Sequence, residues 1–223
     1  MTTSAGKLRT WVKSSALLKP VLKRIYRFRC ASWDLIHGVD TCGEIPLSEL
    51  AFSSENKSPG LEYQSHHPSV TRAALNSLRV RYEDYTFIDI GCGKGRVLLI
   101  AAELPFRKVI GLEFAPSLAE VARRNVQRYR GGASRRAEIE VVTGDATRYD
   151  LPHEPQVLYF FSPFSPDVLN QVIQRVEDSF LQSPRNLLVM FTGVPAMRDR
   201  AFGSRPQYER LSRAPHMDLY RRR

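Results

Sequence analysis

Cysteine is scarce: Cys30, Cys42 and Cys92 are the only three in 223 residues. None sits in a C-x-x-C spacing or beside a histidine pair, so neither a zinc site nor a disulfide framework is expected, and a reducing compartment such as the cytoplasm fits best. Long apolar runs are missing too. Nothing approaches the roughly 18 residues needed to cross a bilayer, so no transmembrane segment is expected. No Ser/His/Asp or Cys/His constellation can be picked out, which leaves nucleophilic catalysis without candidates. The last absence is of one sign of charge. From Met1 to Trp33 there is no acidic residue, while Lys7, Arg9, Lys13, Lys19, Lys23, Arg24, Arg27 and Arg29 are basic.

What is present is ordinary for a globular protein. Hydrophobic residues make up 43% and charged residues 25%, and the length suits one α/β domain with a modest appendage. The net charge of +10 is concentrated in the N-terminal arm, which could be a solvated helix or could face an anionic partner, whether nucleic acid, membrane surface or acidic protein. Leu17, Leu18, Val21, Leu22, Ile25, Tyr26 and Phe28 recur at three- and four-residue intervals. They predict an amphipathic helix, interrupted or restarted near Pro20, whose apolar side buries against the domain itself. Residues Gly38 to Gly60 mix Gly, Pro and Ser and read as an irregular connector or flap, with Asn56 to Gly60 its loosest part. The expected organisation is a basic helical extension and connector over residues 1–62, followed by one domain over 63–223.

That domain is organised around Thr86 to Arg96, TFIDIGCGKGR. Phe87, Ile88 and Ile90 make a buried strand, and Gly91, Gly93 and Gly95 make a tight loop around Cys92. Val97, Leu98, Ile100, Ala101 and Leu104 then come at helical spacing until Pro105. The loop thus opens onto a helix N-terminus, a place for a polar or anionic group. A dinucleotide fingerprint would need a third glycine where Arg96 stands. Asp89, in the strand before the loop, would repel a pyrophosphate and welcome an amino group.

The run D-I-G-C-G-K-G resembles the first motif of class I S-adenosylmethionine-dependent methyltransferases. The acids at the next two strand ends agree in spacing. Glu113 ends a second strand, Lys108–Phe114, where a carboxylate can accept from both ribose hydroxyls. A helix from Pro116 leads to a third strand, Ile139–Val142. The turn after it, with Asp145-Ala146, is similar to the family's adenine-binding turn. The resemblance runs from about Tyr63 to the C-terminus and implies a Rossmann-like, mostly parallel sheet closed by an antiparallel C-terminal hairpin, with S-adenosylmethionine as cofactor. It also makes Tyr63, Gln64, His66 and His67 lid residues over that cofactor.

At the end of the fourth strand, Val157–Phe161, Ser162-Pro163-Phe164 occupies the position where the family's amine methyltransferases carry Asn or Asp, proline and an aromatic residue. These three are the expected acceptor-site residues. Carboxylates for a metal ion are absent there, so a metal-independent enzyme is expected. The strand ends look closest to small bacterial proteins of unassigned substrate and share features with Dot1-type lysine methyltransferases. An amine acceptor, protein lysine or similar, is the first expectation. The alternatives are a small-molecule hydroxyl, or a non-catalytic module that binds nucleic acid or a membrane surface.

Overall fold

The computed structural model describes residues 19–43, 67–131, 136–161, 164–193, 195–214 and 217–223. Helix α1 (Lys19–His37) is followed by α2 (Pro68–Asn76), a short 3-10 turn (Tyr82–Asp84), β1 (Thr86–Ile90), α3 (Arg96–Ala101) and β2 (Lys108–Glu113). Then come α4 (Pro116–Arg128), β3 (Ile139–Thr143), β4 (Gln156–Phe161), α5 (Pro166–Gln182), β5 (Leu187–Thr192), α6 (Pro195–Phe202), β6 (Tyr208–Ala214) and β7 (Met217–Arg222).

The strands form one sheet in the order β3-β2-β1-β4-β5-β7-β6. All neighbours are parallel except β7, which pairs antiparallel with both β5 and β6. β1 is buried along its whole length, as a central parallel strand covered on both faces must be. Its side chains alternate: Phe87 joins a cluster with Leu75, Leu98, Leu99 and Tyr129 on the α2–α3 side, while Ile88 and Ile90 join Leu169, Val172, Ile173 and Phe202 on the α5–α6 side. Strand order reverses between β1 and β4, and the crevice at the carboxyl ends of these two strands is where open α/β sheets bind ligands.

One expectation is corrected, the facing of α1. α1 runs unbroken from Lys19 to His37 with Pro20 in its first turn, where a missing N–H costs nothing. It does not bury the stripe that its periodicity singles out: Ile25, Tyr26 and Phe28 are exposed, and Cys30, Trp33 and Asp34 are buried instead. Leu17 and Leu18, and most of the Gly38–Gly60 connector, lie outside the described residues. The C-terminal basic run Arg221-Arg222-Arg223 is anchored to the sheet. Arg222 belongs to β7, donates to the buried Glu177 of α5 at 2.9 Å and packs over the Phe180 ring.

Candidate active site

β1 ends in a loop whose three glycines all have positive φ: 85° at Gly91, 54° at Gly93 and 85° at Gly95. L-residues with a Cβ rarely adopt this conformation. The loop leans onto β2, with the N–H groups of Gly91 and Cys92 both donating to the Leu112 carbonyl, at 2.8 and 3.0 Å. Gly111 of β2 permits this approach, because a Cβ there would lie 2.4 Å from Leu98 Cδ1 and 2.8 Å from Cys92 Sγ. The Cys92 side chain therefore packs beneath the loop.

The acids gather at the same edge. Glu113 accepts from Gly93 N–H at 2.8 Å through one oxygen and from Ala115 N–H at 2.9 Å through the other. Burial nevertheless pushes its carboxyl above the ordinary range. Asp89 is only 2% exposed, and among the described residues no donor reaches its carboxylate. Burial first, and the charge of Glu113 second, hold its pKa well above the ordinary carboxylate value. Asp145 lies just beyond β3, whose Thr143 pairs with Glu113. Its Oδ1 accepts from both the N–H and the hydroxyl of Thr147, at 2.8 Å each, so the carboxylate fixes its own turn. Ala146 packs against the core cluster on the α5–α6 side. Asp89, the glycine loop and Glu113 thus come together, with Asp145 and Ala146 on the next strand end.

Other sequence-predicted residues stand differently. Phe164 is half-buried against the α5–α6 cluster. His67 caps α2, its Nδ1 accepting from Ser69 N–H at 3.3 Å, and burial with the nearby charges of Arg29 and Arg96 lowers its pKa. Tyr63, Gln64, His66, Ser162 and Pro163 lie outside the described residues.

Sequence reasoning missed how the loop is held from outside. Arg96, the first residue of α3, is 2% exposed. It donates to Thr41 Oγ1 at 2.7 Å, to Cys30 Sγ at 2.7 Å and to Asp34 Oδ1 at 3.1 Å, and its guanidinium lies over the Trp33 ring. Asp34 also accepts from the N–H groups of Thr41 and Cys42 and from the Thr41 hydroxyl. Alongside, Lys94 Nζ donates to Asp40 Oδ1 at 2.9 Å and to the Cys42 carbonyl at 3.0 Å. The buried Asn125 of α4 bridges the Asp40 and Lys94 carbonyls. α1 and residues 38–43 therefore clasp the glycine loop. The available signal was Asp34, the first acid after an acid-free stretch.

Comparison with known proteins bears on this edge directly. Residues 87–179, from β1 into α5, match the model of a family described as "Methyltransferase domain". This stretch is therefore similar to methyltransferase domains. Solved structures with a similar fold include a predicted N6-adenine-specific DNA methylase from Listeria monocytogenes, at 14% identity and TM-score 0.50, covering 70% of this chain and 51% of that one. An RNA methyltransferase from Salinibacter ruber in complex with S-adenosyl-L-homocysteine matches at 18% identity and TM-score 0.44, over 71% of this chain and 92% of that one. A precorrin-6y C5,15-methyltransferase from Geobacter metallireducens matches at 17% identity and TM-score 0.49, over 79% and 92%. The matched residues thus include the glycine loop, Asp89, Glu113 and Asp145, while the α1 clasp falls outside them.

The residues of this edge fit the cofactor. A buried carboxylate with no donor, beside a second carboxylate, is costly unless a cation or several donors complete it. An aminoacyl group and a pair of ribose hydroxyls bring those donors, where a pyrophosphate would add to the repulsion.

Proposed function

We propose that this chain transfers a methyl group from S-adenosylmethionine to an amine, a protein lysine or similar, without a metal ion. The observation that carries the cofactor half is the donor-free, buried carboxylate of Asp89. In this reading Asp89 holds the cofactor's amino group, directly or through water, and the backbone of Gly91–Gly95, including Cys92, lies along its methionine part. Glu113 has lone pairs left after its backbone contacts and takes the ribose hydroxyls. Asp145 and Ala146 border the adenine, and Tyr63 closes over it.

Bound cofactor supplies a methyl group on a sulfonium, already activated for displacement. The protein's task is then to desolvate an acceptor and hold it in line, and positioning of this kind is worth several kcal/mol without acid/base machinery. The amine reading is supported by the sequence after β4. The Ser162 hydroxyl and the preceding carbonyl offer acceptors for N–H groups, and Phe164 offers an aromatic wall. No carboxylate stands in Phe160-Phe161-Ser162-Pro163 to hold a metal ion. Ser162 replaces the usual Asn or Asp, and this favours a small-molecule hydroxyl as the second reading.

The test is isothermal titration with S-adenosylmethionine and S-adenosylhomocysteine, followed by incubation of the full chain with methyl-labelled cofactor and a fractionated lysate. Label recovered as methyllysine after hydrolysis of the protein fraction is the expected result. Label confined to small molecules moves the assignment to the hydroxyl, and failure to bind either compound at millimolar concentration overturns it.

A further inference from the structure

The side of α1 turned away from the glycine loop carries Ile25 (50% exposed), Phe28 (73%), Leu35 (79%) and Ile36 (68%). At about 100° of rotation per residue, these four fall in one stripe about 100° wide, with Ser32 inside it. Arg24 and Arg29 run along its two borders and Arg27 lies beyond Arg24, all three exposed. The opposite side of the helix is engaged: Cys30 and Asp34 meet Arg96, and Trp33 and His37 stack beside Tyr129. The one acid of α1, Asp34, is thus turned inward and buried. What α1 presents outward, among the described residues, is mainly apolar and cationic, with no acid.

That pairing selects among partners. A nucleic acid would complement the arginines but would leave Phe28, Leu35 and Ile36 facing water or phosphate. A second copy would cover the apolar stripe only by bringing arginine borders against arginine borders. An anionic lipid surface accepts both, because apolar side chains enter the acyl boundary while the flanking guanidinium groups reach the phosphates. No described helix is long and apolar enough to cross a membrane, so the geometry is that of a helix lying in the plane of the surface.

We propose that α1 docks this domain on an anionic phospholipid surface through Ile25, Phe28, Leu35 and Ile36, with Arg24 and Arg29 on the headgroup phosphates. The inner side of the same helix holds Arg96 and, through it, the start of α3 and the glycine loop. Attachment therefore sets the cofactor edge roughly one helix diameter, about 10 Å, from the lipid. Resting on the transferase reading, this places the acceptor among molecules held at that surface.

The experiment is co-sedimentation of the full chain, without cofactor, with vesicles of phosphatidylcholine alone or of phosphatidylcholine and phosphatidylglycerol in equal parts. Binding to the mixed vesicles, little binding to the neutral ones, and weakening with salt are expected. The double variant Phe28→Ser/Leu35→Ser should partition at least roughly tenfold less and still bind S-adenosylmethionine by titration, since neither side chain touches the clasp. That readout separates failure of this proposal from failure of the transferase reading. No binding to mixed vesicles overturns the proposal and assigns the stripe to another part of the chain or to a protein. Binding that the double variant leaves unchanged also overturns it, because the arm's charge alone would then be responsible. So does a dimer in gel filtration that the double variant dissolves while vesicle binding is absent.

Discussion

Arg96 and Asp89 stand on either side of the same glycine loop and are equally buried, each 2% exposed, but their charges meet opposite surroundings. Among the described residues, Arg96 reaches Thr41, Cys30, Asp34 and an indole face, from α1 and the segment after it. Among the described residues, Asp89 meets no donor, and it lies beside a second carboxylate. A buried charge that is fully paired holds structure together. One that is left unpaired raises the energy of the protein until something completes it. The contrast separates the two residues: Arg96 fastens the helical strap to the loop, and in the proposed reading Asp89 is completed by the ligand.

The largest effect should come from breaking the paired side. Arg96→Met would strand Asp34 in the interior with one partner lost, and removing one member of a buried pair costs about 3–5 kcal/mol. Urea denaturation should register that loss, and replacing Asp34 as well (Arg96→Met/Asp34→Leu) should recover part of it. A loss below about 1 kcal/mol would place the pair with ordinary surface contacts and erase the contrast. On the unpaired side the signs reverse. Asp89→Asn removes an uncompensated charge, so the ligand-free protein should be as stable or more stable. Its affinity for S-adenosylmethionine should fall roughly tenfold to a hundredfold, the worth of a hydrogen bond to a charged group.

The pH dependence sharpens the same point. The folded pKa of Asp89 is raised, so the folded state holds its proton longer than the unfolded chain does. Stability of the ligand-free protein therefore falls as pH climbs from the ordinary carboxylate range through the raised value. Binding of an ammonium-bearing ligand runs the other way. It needs the carboxylate, so affinity should rise over that window and binding should release a proton, read as a buffer-dependent heat in calorimetry. Glu113 is also raised by burial and contributes to the same slope. Asp89→Asn should remove most, not all, of the proton release; a slope unchanged in this variant would give the titration to Glu113.

The ligand edge was legible in the sequence, and the strap was not. Asp89, the glycines, Glu113 and Asp145 each sit at the end of a β-rich run, where local pattern alone fixes which strand end they occupy, and parallel pairing of β1, β2 and β3 then brings those ends side by side. Arg96 read as the residue that spoils a dinucleotide fingerprint, because its partner Asp34 lies far upstream and no periodicity links them. The facing of α1 was misread for a related reason. Periodicity locates a stripe but not which side the core needs, and here the deciding demand was an arginine in want of acceptors, which drew in Cys30, Asp34 and Thr41 and left Ile25 and Phe28 outside. Asn125 shows the same blindness: it sits on the inner side of α4 among apolar residues, and only the approach of Asp40 and Lys94 explains it.

Between the two extremes lies Asp145, whose carboxylate is served by its own turn. Thr147→Ala removes the hydroxyl contact to Oδ1 and keeps the backbone one, and the site is half-exposed, so water replaces much of what is lost. A destabilisation of about 0.5–1 kcal/mol is expected, with an effect on S-adenosylmethionine affinity smaller than that of Asp89→Asn. Chemical denaturation and titration on the same preparation measure both. If Thr147→Ala matched Asp89→Asn in affinity, the turn would be a binding element whose shape the hydroxyl enforces. If it altered neither stability nor affinity, the Thr147 hydroxyl would add nothing to what the backbone N–H already supplies to Asp145.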